Sequence, residues 1–282
     1  MATEEQCIEH HVIVEKGNSI KRGDTGPAVI ELQKHLINAR YSVKPDGDFG
    51  KNTYTAVVAF QKANGLVTDG IVGEKTLTLL CGANKKHTFL SQADIEKGAA
   101  ALGVPVATLM AVNTVESSGK GFLSPGRPVI LYERHIMYRE LRDYGIDPVK
   151  AMRDNPGLVN TKRGGYLGGV KEWLRLEKAQ VISHDAALES ASWGAYQIMG
   201  FHWELLGFGS VQEYIDYVSV SEANQLDCFV RFIKSQKNLW VALRAKNWAA
   251  FARLYNGPAY KENQYDVKLA DAYEDAVLVL AA

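Results

Sequence analysis

The sequence predicts a mainly α-helical protein in which a small three-helix module precedes a larger helical module. Before residue 82, three short segments carry apolar residues at helical spacing, with turn motifs between them. Further along, the apolar run 104–115 has the length of a helix and ends next to Glu116. The polar stretch 83–88 predicts a linker, so the two modules are expected at 17–82 and 89–282.

The distribution of charge supports this division. Residues 16–88 hold 11 Lys and Arg against 6 Asp and Glu, whereas residues 89–282 hold 21 against 22. A basic module suits an anionic partner such as a nucleic acid, a lipid surface or a cell-wall polymer, or it is simply a solvated surface. Because the 282-residue chain has a net charge of zero, we expect no nucleic-acid partner.

The composition is that of an ordinary globular protein, with 46% hydrophobic and 23% charged residues. No apolar run reaches 18 residues, so we expect no stable insertion into a membrane, and we expect a monomer. The first 14 residues lack the basic and apolar regions of a signal peptide, and the three cysteines are widely separated. These features predict a protein held in the cytoplasm, which would need help from a separate pore-forming protein to act outside it.

The first module contains an internal repeat of the pattern D-G-x-x-G-x-x-T, at 46–53 and again at 69–76. Each copy offers a tight Asp-Gly turn, an apolar residue and a second glycine before a helix. The helical spacing of apolar residues precedes the first copy and follows both copies, at Val29, Leu32, Leu36, Ala56, Val57, Phe60, Leu77 and Leu80. We therefore expect three short helices joined by turns.

Asp46 and Asp48 alternate as calcium ligands do in an EF-hand, but the rest of that pattern is missing. Gly50 stands at the third ligand position, and Val57 stands where a bidentate Glu is required. Calcium binding is therefore not expected.

With G-D-T-G-P-A-V-x-x-L-Q at 23–33, A-V-x-x-F-Q at 56–61 and D-G-x-V-G at 69–73, the module resembles the three-helix peptidoglycan-binding domain of cell-wall hydrolases. The resemblance implies non-catalytic binding of glycan strands or stem peptides. The residues that we assign to this binding are Asp46, Asp48, Phe49, Gln61 and Asp69. Taken alone, Gln33 or Gln61 would indicate only a solvated polar position.

Two carboxylates in the second module are candidates for acid–base chemistry. Glu116 ends a buried apolar helix, where desolvation raises the pKa of a carboxyl group, and Ser117-Ser118-Gly119 turns the chain beside it. Glu133 follows the apolar stretch 130–132 after a proline-rich loop, so both carboxylates could face one cleft. Cleavage of a glycosidic bond requires such a pair. The alternatives are a surface carboxylate for Glu116 and an ion pair with Arg134 or Arg127 for Glu133.

Aromatic and small residues cluster in two later segments, 192–200 and 254–260. Trp and Tyr faces stack on sugar rings, and Ser and Gln side chains bind hydroxyl and acetamido groups. Either segment alone would equally fit an aromatic core beside a turn.

The order of V-E-S-S-G at 115–119, S-W-G-A-Y-Q-I-M-G at 192–200 and Y-N-G-P-A-Y at 255–260 resembles the lysozyme-like superfamily, and most closely the N-acetylmuramidase domain of modular phage endolysins. The resemblance implies a lysozyme-like helical domain with Glu116 as general acid and Glu133 in support. It also implies a saccharide groove formed by Tyr132, Ser192, Trp193, Tyr196, Gln197, Tyr255 and Asn256. No Asp follows Glu116 before Asp143, so the nucleophile or base stays open.

The expected activity is hydrolysis of the β-1,4 bond between N-acetylmuramic acid and N-acetylglucosamine in bacterial peptidoglycan. A lytic transglycosylase, which forms a 1,6-anhydro product, and a binding-only virion protein that adheres to the wall are the alternatives. A zinc amidase is disfavoured because the seven His show no metal-ligand spacing. We expect neither a metal nor a cofactor.

Overall fold

The structure is a computed structural model that describes residues 19–82, 88–117 and 120–281, and it confirms the mainly α-helical prediction. The first module contains α1 (Pro27–Asn38), α2 (Lys51–Ala63) and α3 (Glu74–Leu80). The helices of the larger module are α4 (Gln92–Leu102), α5 (Val106–Glu116), α6 (Arg134–Asp143), α7 (Pro148–Asp154), α8 (Val170–Gln180), α9 (His184–Glu189), α10 (Val211–Val218), α11 (Glu222–Ser235), α12 (Lys237–Arg244), α13 (Trp248–Asn256) and α14 (Tyr265–Leu280). The predicted linker lies outside the described residues except for Thr88.

The three helices of the first module enclose one apolar core, as their spacing predicts. This core consists of Ile20, Val29, Leu32, Leu36, Phe49, Ala56, Val57, Phe60, Leu66, Val72, Leu77, Leu79 and Leu80. Single antiparallel bridges, Ile20 with Val72 and Thr25 with Asp48, attach the segment before α1 to the two repeat copies. The repeats therefore link the ends of the module as well as its helices.

Each repeat copy is held by a buried glutamine from the preceding helix. Gln33 donates from Nε2 to Asp46 Oδ1 at 2.9 Å and accepts from the Gly47 amide at 2.9 Å. Gln61 makes the same pair of bonds with Asp69 at 2.8 Å and with the Gly70 amide at 2.9 Å. Both glutamines are buried, so the interpretation of either as a solvated position is wrong. An amide is suited to this role because it both donates and accepts.

The larger module contains a small antiparallel sheet that carries several candidate residues. It contains β3 (Ile130–Tyr132), β4 (Ala191–Trp193) and β5 (Ile198–Met199) in that order, and a separate hairpin pairs β1 (Phe122–Ser124) with β2 (Arg127–Pro128). Ile130 lies opposite Trp193, and Tyr132 lies opposite Ala191. The sheet therefore places Glu133, the residue before α6, beside the start of β4.

The two modules pack against each other through polar contacts. Lys75 forms an ion pair with the buried Glu222 at 2.6 Å. Glu222 also accepts hydrogen bonds from the backbone amides of Leu90 at 2.8 Å and Gly121 at 3.0 Å. One carboxylate thus binds groups from both modules.

Within the described ranges, no single helix has both the length and the apolar composition needed to cross a membrane. Helices α4 and α5 meet the criterion only as a pair, and they are bent by 112° where they meet.

We expect Gln33→Ala to destabilise the first module by at least about 2 kcal/mol, because each buried polar group left without a partner costs about 1–3 kcal/mol. Urea unfolding of the full chain measures this change. Gln212→Ala is the control, since Gln212 is exposed on α10 and its side chain donates to Asp216 at 2.7 Å. We expect that control to change stability by less than about 0.5 kcal/mol. Equal stability of the two variants would contradict a structural role for Gln33.

Candidate active site

Glu116 lies at the C-terminal end of α5, the most apolar helix of the larger module. Residues 107–113 of this helix are all buried, and α14 packs along it. The helix begins at Val106 because Pro105 occupies its N-cap. Burial raises the pKa of Glu116 to about 7, and a hydrogen bond from Asn256 opposes that shift. The group can therefore hold a proton at neutral pH. Ser118 and Gly119 of the predicted turn lie outside the described residues.

Asn256, at the end of α13, holds the carboxyl group of Glu116. Its Nδ2 donates to Glu116 Oε2 at 2.9 Å. The other oxygens of the two side chains, Glu116 Oε1 and Asn256 Oδ1, are buried and have no hydrogen-bond partner among the residues described. One carboxyl oxygen is thus held by Asn256, and the other is buried without a partner among those residues. Asn256 was predicted to bind substrate, and in the structure its side chain bonds to the Glu116 carboxyl group.

Tyr196 and Tyr255 lie in the core close to Glu116 and Asn256. The Tyr255 hydroxyl donates to the Tyr196 carbonyl at 3.0 Å, and the Tyr196 hydroxyl donates to Asn113 Oδ1 at 2.7 Å. The Tyr196 ring stacks on Phe229 with centroids 4.6 Å apart. Because only 3% of Tyr196 is exposed, the prediction that its face binds a sugar ring is wrong. These rings support α5 from inside the core.

Trp193 and Tyr132 are also core residues rather than groove residues. Trp193 is 2% exposed, and its indole N–H donates to the Leu188 carbonyl at 3.1 Å. Tyr132 is fully buried, with its hydroxyl donating to the Leu158 carbonyl at 2.8 Å. Neither ring has a free face, so the predicted sugar stacking of Trp193 is corrected, and the buried Tyr132 offers no surface to a substrate. The adjoining strands β3 and β4 bring them into the core.

Ser192 and Gln197 fix the turn between β4 and β5. Ser192 Oγ donates to Gln197 Oε1 at 2.7 Å, and Gln197 Nε2 donates to the Gly194 carbonyl at 2.8 Å. Gln197 has a φ of 51°, in the left-handed region that few side chains adopt. The side chains of Ser192 and Gln197 thus bond to each other and to their own turn. This arrangement disfavours the predicted binding of sugar hydroxyls by these two residues.

Gln225, which no sequence motif indicated, joins this turn to the segment that follows Glu116. Its Oε1 accepts from the Ala195 amide at 2.8 Å, and its Nε2 donates to the Gly121 carbonyl at 3.2 Å. Gly194 adopts a φ of 73°, and a Cβ there would lie 2.5 Å from Gln225 Cδ. Glycine is therefore required where the turn meets Gln225.

Glu133 occupies a separate hydrogen-bond network. The Tyr166 hydroxyl donates to its two carboxylate oxygens at 2.9 and 3.0 Å, and His135 Nδ1 lies 3.1 Å from Oε2. Tyr166 was missed because it lies 33 residues away, in the sequence G-G-Y-L-G-G at 164–169. Glu116 bonds to Asn256 instead, so the two carboxyl groups share no hydrogen-bond partner among the described residues.

The predicted alternative for Glu133, an ion pair with Arg134 or Arg127, is wrong. Arg134 donates to the backbone carbonyls of Lys162 and Arg163, each at 2.9 Å. Arg127 lies 3.6 Å from Glu177. The Glu133 carboxylate is thus held by the Tyr166 phenol, with the His135 imidazole close by, rather than by a guanidinium group.

The binding residues predicted in the first module divide into two groups. Phe49 and Gln61 are buried in its interior, so the prediction that they contact a ligand is corrected. Asp46 and Asp48 are exposed, and Asp69 is half-buried. Across the parts of the chain that are described, no group of three or more His, Cys, Asp or Glu is placed to hold a metal ion.

Comparison with known proteins gives two family matches in the order of the modules. The peptidoglycan-binding domain family, described as putative, matches residues 25–80, and the N-acetylmuramidase family matches residues 105–276. The crystal structure of the Burkholderia AP3 phage endolysin is 49% identical, with a TM-score of 0.88 over 94% of this chain and 100% of that chain.

Shorter similarities connect the chain to spore cortex-lytic enzymes. That of Bacillus cereus is 48% identical over 67 residues, which is 23% of this chain and 26% of the relative. That of Bacillus subtilis is 51% identical over 82 residues, which is 28% of this chain and 27% of the relative. The chain thus spans about a quarter of the length of these curated relatives.

We expect Asn256→Ala to raise the pKa of Glu116 above about 7, because the lost hydrogen bond stabilised the charged carboxylate and burial is then unopposed. One hydrogen bond to a charged group is worth about 1.5–3 kcal/mol, which corresponds to about one pH unit or more. Carbon-13 NMR titration of the Glu carboxyl groups measures the pKa of Glu116 in the wild type and in the variant. Asn238→Ala, an exposed residue on α12, is the control. An unchanged pKa in Asn256→Ala would contradict the orienting role.

Proposed function

This chain belongs to the N-acetylmuramidase family, and on that premise we propose that it is an endolysin that hydrolyses the β-1,4 bond between N-acetylmuramic acid and N-acetylglucosamine in bacterial peptidoglycan. The matches confirm both resemblances found in the motifs. The observation that carries the proposal is the buried carboxyl group of Glu116, with a pKa of about 7, inside the matched region.

In the proposed reaction, protonated Glu116 donates its proton to the glycosidic oxygen as the bond to the anomeric carbon breaks. A pKa of about 7 leaves roughly half of the carboxyl groups protonated at neutral pH, which suits a general acid. Asn256 holds one oxygen of the carboxyl group, so the proton is presented from the other oxygen. Positive charge then develops on the sugar, as in other glycosidases.

We assign Glu133 to the second half of the reaction, in which it orients a water molecule or stabilises the positive charge on the sugar. Tyr166 supports this role because its hydroxyl donates to the carboxylate and so favours one orientation, with His135 Nδ1 3.1 Å away. A carboxylate of this kind completes the pair that hydrolysis requires.

The separate networks of the two carboxylates favour a lytic transglycosylase as the second candidate. In that reaction Glu116 first donates a proton to the leaving oxygen and then accepts one from the 6-hydroxyl of the muramoyl sugar. The 6-oxygen attacks the anomeric carbon, which gives a 1,6-anhydro product without consuming water. Product mass separates the two reactions, since an anhydro end is one water lighter than a reducing end.

We further propose that residues 17–82 bind the wall and that residues 89–282 carry the catalytic site, with 83–88 between them. The substrate is the partner, and the protein acts as a monomer. An enzyme that attacks the wall of the cell in which it is made must be kept from it until lysis. We therefore place it in the host cytoplasm until a separate pore-forming protein releases it.

We expect Glu116→Gln to lose at least about 100-fold in turnover, because the amide keeps the shape but cannot donate a proton, and general acid catalysis is worth about 10²–10⁴-fold. Release of soluble glycan from purified peptidoglycan measures turnover. Glu177→Gln, an exposed residue on α8, is the control and should keep full activity. Retention of more than about a tenth of the turnover in Glu116→Gln would contradict the mechanism.

We expect Glu133→Gln to lose turnover with little change in melting temperature. Loss of stability with normal turnover would instead make Glu133 a structural residue and would favour the transglycosylase. Mass spectrometry of the wild-type products gives an independent result, and we expect reducing ends. Binding to the wall without any soluble product would support a binding-only protein.

A further inference from the structure

A cleft of about 470 Å³ lies between the two modules. Its wall on the first module includes Lys21, Asp69 and Ile71, and its wall on the larger module includes Asn113, Thr114 and Ser117. The volume falls in the range of about 300–1,000 Å³ that is usual for small-ligand sites. Asn113, Thr114 and Ser117 are neighbours of Glu116 in the chain, at the end of α5, although Glu116 itself does not line the cleft.

Direct contacts between the modules hold the walls of this cleft in place. Besides the Lys75–Glu222 ion pair, Lys120 lies 2.5 Å from Glu74, and the Thr68 amide donates to Gln92 at 3.2 Å. These contacts join the first module to the larger module at the cleft.

The two copies of the repeat have different surroundings. Asp46 of the first copy is exposed, and the hydrogen bond from Gln33 lowers its pKa. Asp69 of the second copy is half-buried at the cleft, and burial raises its pKa. The same motif thus faces solvent in one copy and the module boundary in the other.

We infer that this cleft binds the peptide stem of the muramoyl sugar whose glycosidic bond is cleaved at Glu116. The inference rests on the proposed function. In peptidoglycan the stem peptide branches from the muramoyl sugar itself, so a stem at the reacting sugar projects next to Glu116. The cleft is the space that opens there, between Ser117 and the second repeat copy.

The charges that line the cleft suit a short peptide with carboxylates and a free amine better than an uncharged glycan. Both lysine and acidic side chains line it, including Lys21 and Asp69. Lys75 and Lys120 already pair with Glu222 and Glu74. Among the described residues Lys21 forms no ion pair, so its ammonium group is available to a peptide carboxylate. The first module would then select the bond to be cut as well as bind the wall.

The test compares kcat/KM of the full chain on glycan oligomers that keep their stem peptides and on the same oligomers after the peptides are removed. We expect the wild type to favour the peptide-bearing oligomers by about tenfold or more, the effect of one charge-assisted hydrogen bond. Lys21→Glu, which reverses the charge, and Ile71→Trp, which fills the cleft, should both bring this ratio close to one. Lys51→Glu makes the same charge change on an exposed part of the same module and should keep the ratio.

A ratio of one in the wild type, or a ratio that neither variant changes, would overturn the inference while the glycosidase activity stands. If the wild type cleaves neither oligomer, the proposed function fails. Binding of the free stem peptide, followed by NMR chemical shifts of the full chain, then decides the inference alone. Binding that Ile71→Trp abolishes and Lys51→Glu preserves supports it, and absence of binding overturns it. Circular dichroism checks that each variant is folded.

Discussion

The burial of one carboxyl group, that of Glu116, is the constraint on which the larger module depends. An apolar helix carries it into the interior, α13 supplies the amide that orients it, and Tyr196 fixes the preceding turn of the helix through Asn113. The free energy of this arrangement depends on pH. The pKa of Glu116 in the folded protein is about 7, whereas the ordinary pKa of a glutamate carboxyl group is 4.5. The folded state therefore loses stability as the pH rises between these values, because the unfolded chain releases its proton first.

Buried polar side chains from distant helices hold each turn near the cleft. Gln33 and Gln61 hold the repeat copies, Gln225 holds the turn after β4, and Glu222 holds the module boundary. Each accepts hydrogen bonds from backbone amides in turns, which no helix or strand pairs. Both the buried side chain and the turn amides therefore have partners. The same side chains restrict where the neighbouring modules and turns can lie. The position of Glu116 relative to the first module follows from these contacts.

The elements of the fold were predictable because apolar spacing depends on neighbours along the chain. The helices that contain Leu32, Phe60 and Leu77 lie where this spacing indicates. The roles of Trp193 and Tyr196 were not predictable, since an aromatic residue beside a turn fits a core and a groove equally well. The contact between Tyr166 and Glu133 spans 33 residues, so no local pattern reports it. Burial of Gln61 depends on its acceptors, Asp69 and the Ile71 carbonyl, and on its donor, the Gly70 amide, which only the folded chain brings together.

The shared carboxylate of Glu222 also limits how the modules could be recombined. It binds two amides of the larger module and a lysine of the first, and only 4% of it is exposed. A chimera that joins a foreign wall-binding module to residue 89 would leave this buried charge without its cation. Removing one partner of a buried pair destabilises a protein by up to about 3–5 kcal/mol. A successful exchange therefore requires a donor module with a cationic side chain at the position of Lys75, or a second change that replaces Glu222 by a neutral residue able to accept the same two amides.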